Sequence, residues 1–598
     1  MADYLSSLSQ SEFVPNIVVR FNGEYFAIRA PDSGLTIDAD KIGVVSQLTI
    51  NPTTIDPFRP STTISNYSFK LLDRNEVITK MFNGETAYFQ DAPVDVWLGR
   101  SNVLANATDM DFSEYLQLPT TYINKLTRQD ASYTFQTVEA RDRLSTGAFR
   151  QTTKLAVDIL DNTTIITVQN AASFPTNGLV LIDSEYISYT GKDGNNLLNC
   201  IRGEQGSTPV EHDTGDDVFL AIVLQDNPID LLLSLLVSSG GGGSYDTLPD
   251  GAGIDQSLID FDQIEDVRDE FFSTYSFKFI LSNVDSLKTF IESEICFPLG
   301  IRLRANNNAK IGLALIDRNI FEIDSPTLDD TNLVKYPDFT VDNTKIVNRI
   351  RIFWDWDDVK KAYLKVSDFT DADSIAEFGE TAVTEQKFKG IRSNLAGADV
   401  VDTIQLLFLS RFAFPRPQIT VTGQMSTSAL NLGDKTDLVS SVIPTERGDL
   451  NFVSTLEVLQ KSLNLQNGDV RYQLSFTSFS GIRQCYIAPS DTIISFANQK
   501  TVTIGAGQGA NYRAGWNMRL YSNVTRDYVD TQINTIQSIS NDTITFVSDW
   551  NETLVNGEFK LSFADYDDVS EQQKKFCFIS DGNNNFMDGR GPYQITFG

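Results

Sequence analysis

Histidine is nearly absent from this chain: one residue in 598, His212. Histidine-based acid–base catalysis or metal binding therefore has a single candidate. A zinc site needs further histidines or clustered cysteines. Cysteine is scarce as well, with Cys200, Cys296, Cys485 and Cys577 standing far apart. No pair has metal-ligand spacing, and four in such a length make no disulfide framework, so they read as reduced and mostly buried. Basic residues are outnumbered, 48 Lys and Arg against 79 Asp and Glu, for a formal net charge of −31. A protein that grips nucleic acid needs a basic face to displace counterions, and none shows here. The acids are dispersed in short clusters such as Asp355-Trp356-Asp357-Asp358, which read as solvated surface. Long apolar runs are missing too. The longest, Leu231 to Val237, is interrupted by Ser234 and is too short to span a bilayer. Met1-Ala2-Asp3-Tyr4 has neither the basic start nor the apolar run of a secretory leader, so synthesis in the cytoplasm is expected.

What is present points to folded, β-rich cores. Hydrophobic residues make up 41% and aromatics 11%, with 39 Phe and 20 Tyr. The length implies several domains, and five segments are expected. Residues 1–150 read as a β-barrel domain: Ile17 to Phe21 and Tyr25 to Ile28 flank Asn22-Gly23, a strong hairpin signal, and strands follow at Val44 to Ile50, Tyr67 to Leu72 and Val94 to Leu98. Residues 151–225 read as a small inserted β module with glycine turns. Residues 226–345 read as an α+β linking domain, with helices at Ile229 to Leu236, Asp262 to Phe272 and Val284 to Ile295, then a hairpin around Asn306-Asn307-Asn308. Ser238 to Ser244, rich in glycine, is expected to be a flexible loop, and the stretch 238–254 to be mobile.

Residues 346–480 read as a second barrel-like domain. A strand opens it, with Ile346, Ile350, Ile352, Trp354 and Trp356 on one face and Arg349, Arg351 and Asp355 on the other. A helix at about 395–412 carries Val400, Ile404 and Leu407 in one stripe and is stopped by Pro415 and Pro417. Residues 481–598 form a C-terminal β domain, in which Ser570-Glu571-Gln572-Gln573 makes a capping box. The fold class is thus β-rich α+β and multidomain.

The glycine loop lacks the Lys-Ser/Thr ending of a phosphate-binding loop. No His-Glu-x-x-His, Gly-x-Ser-x-Gly or calcium loop occurs. No catalytic, cofactor-binding or metal residue is assigned, and no cofactor is expected. Glu211-His212-Asp213 invites a catalytic or metal reading, but a turn-stabilising role explains His212. Tyr186, Tyr189, Tyr512 and Trp516 are candidates for stacking on sugars, with core packing the competing role.

Taken in order, Val347-Asn348-Arg349-Ile350, Ser374 to Glu380, Arg411 to Pro417 and Leu432-Gly433-Asp434 resemble the central domain of tailed-bacteriophage tail hub proteins, also called tail tip or baseplate hub proteins. The opening hairpin, Phe69 to Asp73 and Val94 to Gly99 are similar to that family's first barrel. The run Ile182 to Gly191, Arg202 to Thr208 and His212 to Asp216 is similar to a module recurring in phage tail and tail-fibre proteins. Phe578 to Asp581, Phe586 to Gly589 and Pro592 to Ile595 resemble C-terminal tails of phage tail-tip proteins. The resemblance implies tube-like barrels and a homotrimer in the virion tail tip, without enzymatic activity. It also implies that the hub joins the tail tube to the tip and closes the channel until genome ejection. Its partners would be the distal tail protein, the tape measure protein, the tail tube, and tail-fibre or tip proteins, with contact to the host surface. DNA would pass through without sequence-specific binding. The alternatives are a carbohydrate-binding adhesin of the tail and a tail-associated cell-wall hydrolase.

Overall fold

The computed structural model describes residues 14–32, 34–54, 66–82, 92–101, 111–305, 310–316, 327–335, 337–340, 346–415, 418–444, 450–464, 468–476, 493–506, 509, 512, 514–515, 517–522, 524, 532–563, 576–578 and 594–596. It is strand-rich, with several sheets and few helices. The chain divides into two compact units, Met1–Ser478 and Phe479–Gly598.

The first curved sheet runs, edge to edge, through Glu24–Ala27, Val14–Phe21, Pro93–Ser101, Thr121–Gln129, Ser132–Glu139, Tyr67–Leu72 and Val45–Ile50. Asn22 and Gly23 both adopt positive φ, 49° and 78°, as a two-residue hairpin turn requires. The sheet bends back on itself: Ala27 bridges Ile42, and the Gly43 amide donates to the Ala27 carbonyl at 2.8 Å. Its core stacks Phe69 on Phe135 at 4.9 Å, with Phe21 against both. The first strand is apolar almost throughout because both faces are covered. Ile17, Val19 and Phe21 point into this core, and Val18 into the next.

That next core belongs to a second sheet, ordered Leu328–Asp329, Lys435–Pro444, Leu450–Asn464, Asp469–Phe476, Gln418–Gln424 and Asp338–Thr340. Val18 and Ala27 of the first sheet, with Tyr115 from the turn at Phe112–Glu114, share it with Ile419, Leu456 and Tyr472. Thr53–Thr54 also pairs with Leu450–Asn464, so the two half-barrels are joined by backbone as well as by side chains.

The stretch 346–480 is divided between two cores. Strand Arg349–Asp357 pairs with Ala362–Thr370 and Thr384–Lys387 in a separate three-stranded sheet. Its Ile350, Ile352 and Trp354 pack with Val400, Ile404 and Phe408 of helix Gly397–Phe412 on the central core. That core also holds Ile229 and Leu232 of helix Pro228–Val237, Ile264 of helix Phe261–Val267, and Ile301 and Leu313 of hairpin Ile301–Ala305/Ile311–Leu315. Trp354 belongs to the central core and Trp356 does not. Asp355 has φ 61° and interrupts the alternation, and Trp356 lies against Tyr363 at 4.8 Å. The helices expected at 262–272 and 284–295 begin as α and widen into π turns at Arg268–Phe272 and Ile291–Cys296. Pro417, Asn306-Asn307-Asn308 and the capping box at 570–573 lie outside the described residues.

The glycine loop is held rather than loose. Asp246 accepts the amides of Ser239, Gly240 and Gly241 at 2.9, 3.2 and 3.1 Å. Ser238 is buried, and a Cβ on Gly251 would come within 2.7 Å of its carbonyl oxygen. Asp250 accepts the Phe149 amide at 2.9 Å. The Ser239 amide, followed by those of Gly241 and Gly240 and the Ser239 hydroxyl, holds the Asp246 carboxyl below its usual value despite some desolvation. The restraint is therefore present above the ordinary carboxylate range and weakens as pH falls through the lowered value. Limited proteolysis should spare residues 238–254 at neutral pH and cut there in Asp246→Ala. Equal resistance in both chains would show that Asp246 is not the restraint.

The small module packs its own core, including Leu155, Val168, Val180, Ile187, Tyr189 and Leu220. Its last strand, Asp217–Asp226, continues past it: residues 218–221 pair with Leu179–Ile182, and residues 222–226 with Phe277–Leu281 of the central region. Lys154 and Asp217 face each other across the ladder where the module begins and ends. Replacing residues 155–216 by Asn-Gly, with Val218 and Leu220 changed to Thr, is expected to leave the rest melting cooperatively within a few degrees of the parent. A collapse of that transition in calorimetry would make the module part of the main fold.

The second unit carries a six-stranded sheet, ordered Ser495–Asn498, Thr501–Thr503, Thr543–Phe546, Asn534–Ser540, Asn517–Ser522 and Phe559–Phe563, and a two-stranded ladder of Phe576–Phe578 with Gln594–Thr596. Val502, Met518, Ile544 and Trp550 lie in the core of the six-stranded sheet.

Candidate functional sites: a buried charge cluster and the single histidine

Three of the four sequence pieces named above converge on Asn348. Its amide nitrogen donates to Ser374 Oγ at 3.2 Å and the Gly379 carbonyl at 2.8 Å, and its Oδ1 accepts from Thr381 N and Oγ1 at 2.9 Å each. Ser374 Oγ donates to the Ala413 carbonyl, and the Val347 amide donates to the Phe412 carbonyl at 2.9 Å. Asn348 and Ser374 are buried, so each polar atom there requires a partner, and these bonds supply them.

The fourth piece lies at the junction of the half-barrels with the central core. Glu457, fully buried on strand Leu450–Asn464, faces three cations. Arg302 Nη1 reaches Oε1 at 2.6 Å, Arg411 pairs with Oε2, and Lys435 Nζ stands 3.7 Å from Oε1. Burial alone would raise the Glu457 carboxyl; Arg411, Lys435 and Arg302 outweigh it and hold the group far below its usual value. Beside it, Arg304 pairs with Asp434 of the Leu-Gly-Asp turn and donates to the Leu432 carbonyl at 2.8 Å. Arg141, at the end of the first half-barrel, holds Glu139 with two bonds of 2.8 Å and reaches the Leu303 carbonyl at 2.7 Å. Hairpin Ile301–Ala305/Ile311–Leu315 thus fastens both half-barrels to the central core through buried charge.

The second cluster is in the small module. His212 is buried, with Nε2 at 3.0 Å from Glu185 Oε2 and Nδ1 at 2.9 Å from Asp183 Oδ2. Glu185 is itself fully buried. It accepts from Arg202 Nε and Nη2 at 2.8 and 2.7 Å and from the amides of Gly203 and Val210 at 3.1 Å each. Burial pushes its carboxyl up; Arg202, the Val210 amide and His212 more than reverse this, and it stays below its usual value. The motif's Glu, Arg-Gly and His are therefore one knot, in which His212 ties the turn after Ile182 to the strand that follows.

The sugar-stacking candidates are core residues. Tyr186, Tyr189 and Tyr512 are 2%, 1% and 4% exposed. The Tyr189 hydroxyl donates to the Pro175 carbonyl at 3.1 Å, and Lys361 donates to that of Tyr186 at 3.2 Å. Trp516 lies outside the described residues. Cys200 and Cys296 are buried free thiols, and burial pushes Cys200 up to about 11. Cys485 and the Cys577 side chain lie outside the described residues.

No protein-family model matches the sequence, and no curated protein does. Solved structures do. The solved structures that the chain resembles include tail proteins. One is the tail protein from Neisseria meningitidis MC58, at 9% identity and TM-score 0.36, covering 78% of this chain and 98% of that one. Another is prophage tail protein gp18 from Listeria monocytogenes EGD-e, at 10% identity and TM-score 0.33, covering 78% and 96%. A third is the 43 kDa tail protein of prophage MuSo2 from Shewanella oneidensis, at 9% identity and TM-score 0.32, covering 78% and 98%.

Proposed function

We propose that this chain is a structural virion protein: a trimeric tail hub that joins the tail tube to the tail tip and closes the channel until genome ejection. The observation that carries the reading is the pair of curved, mainly antiparallel sheets sharing one core within a single chain. Closed rings are the usual oligomers, and three copies would set six such sheets around one axis, to match a sixfold tube. In this reading residues 1–150 supply one barrel, the sheet of 328–340 and 418–476 supplies the second, and the central core of 226–316 and 346–412 links them. The small module at 151–225 stands apart from the ring, and 481–598 forms a C-terminal domain. Its partners are the distal tail protein, the tape measure protein, the tube, and tail-fibre or tip proteins, with contact to the host surface. The net charge of −31 suits a channel that DNA crosses without being held, because each phosphate contact would add affinity. No catalytic role is assigned. The adhesin reading loses its described aromatic candidates to the core.

Counting copies in purified tail tips by quantitative mass spectrometry, with the ring imaged by electron microscopy, tests this. Three copies are expected; one or six would overturn it.

A further inference from the structure

We propose that His212, Asp183 and Asp216 form a surface site for one divalent transition-metal ion. One ligand atom from each lies within 4.8 Å of the others. A bound ion needs such atoms roughly 3 Å apart, given metal–ligand bonds of about 2.0–2.2 Å. The separation from Nδ1 to Asp183 Oδ2 is already 2.9 Å. Asp183 sits on a two-residue turn with its side chain 64% exposed, so it is free to make the movement of up to about 1–2 Å that would bring all three ligand atoms to bonding distance of one ion. Asp216 closes the turn from Asp213, whose amide it accepts at 2.9 Å.

The support behind the histidine is what distinguishes this cluster from a chance meeting of acids. Metal-bound histidines usually give their other ring N–H to a carboxylate, which fixes the ring and directs the free nitrogen at the ion. Glu185 fills that position for Nε2. It is immobilised by Arg202 and two backbone amides, so Nδ1 is held against Asp183, with an Asp216 oxygen within 4.8 Å. One imidazole nitrogen with two carboxylates suits zinc, cobalt or manganese, with water completing the shell. It is too few oxygens for calcium, which takes six to eight. The ion would clamp the turn at Asp183 to the turn at Asp213–Asp216.

The chain has no other histidine, so any imidazole found on a bound metal is His212. The untagged full-length protein is titrated with Co²⁺ and read by visible absorption, and the Zn²⁺ form is read by X-ray absorption. One ion per chain is expected, with one imidazole in its shell. Asp183→Asn and Asp216→Asn should each bind Co²⁺ at least about tenfold more weakly, with circular dichroism unchanged. Asp213→Asn, which removes a neighbouring carboxylate, should bind as the parent does. The proposal is overturned by a spectrum without imidazole, by no saturable binding at millimolar Co²⁺, or by equal affinity in all four chains.

Discussion

Glu457→Ala is expected to destabilise the first unit by about 3–5 kcal/mol, the usual result of removing one partner from a buried ion pair. The substitution takes from Arg302 and Arg411, 1% and 3% exposed, the buried carboxylate they share with Lys435. Glu457→Gln keeps the shape and some hydrogen bonds but not the charge, and should fall between Ala and the parent. The contrast is Asp368, which pairs with Arg349 and Arg351 on an exposed sheet face. Those side chains are about a third exposed, so water and salt screen them, and Asp368→Asn should cost under about 1 kcal/mol. Urea titrations of the three variants check the order; an Asp368→Asn loss as large as that of Glu457→Ala would refute the role given to burial. Both acids are depressed, Asp368 to about 2 by Arg349 and Arg351. The contribution of each is full above its usual value and is lost as pH falls through its folded value. For Asp368 that window is from 3.8 down to about 2; for Glu457 it opens at 4.5 and runs far below it.

The second large effect belongs to Glu185→Ala. Five donors converge on that carboxylate: two from Arg202, the amides of Gly203 and Val210, and His212. Removing it leaves a guanidinium and an imidazole facing a void, again a loss of about 3–5 kcal/mol. The damage should stay local, because the module packs its own core. Hydrogen exchange is expected to accelerate across 155–216 while amides in Val14–Phe21 and Leu450–Asn464 keep their protection. Uniform acceleration along the chain would show that the module does not open on its own.

Local signals in the sequence carried far, and distant pairings did not. Asn22-Gly23 specified its hairpin because positive φ at both positions is a property of those two residues. The short stretches around Asn348, Ser374 and Arg411 were legible as an ordered series, and they meet in space. Glu457 was not legible: its partners Arg302 and Arg411 lie 155 and 46 positions away, on elements whose approach no periodicity encodes. Strand Arg349–Asp357 and helix Gly397–Phe412 were grouped with the sheet that follows them because they adjoin it in sequence. Their buried stripes instead fit the central core. The bonds that hold the glycine loop were not foreseen from composition alone. Asp246, five to seven residues after the amides it accepts, was the available signal. His212 was read as holding a turn, and it does bond Asp183 at one, but the carboxylates around it, 27 and 29 positions earlier, were not foreseen.

Strand Asp217–Asp226 has a mechanical consequence. Its ten residues extend about 33 Å. They place Val218 and Leu220 in one core and Leu224 in another, with no hinge between. A pull on the small module along this strand loads the ladders to Leu179–Ile182 and Phe277–Leu281 in shear, so their hydrogen bonds resist together rather than opening one by one. Tension on the module would therefore reach the central core undiminished, as along a rod rather than a tether.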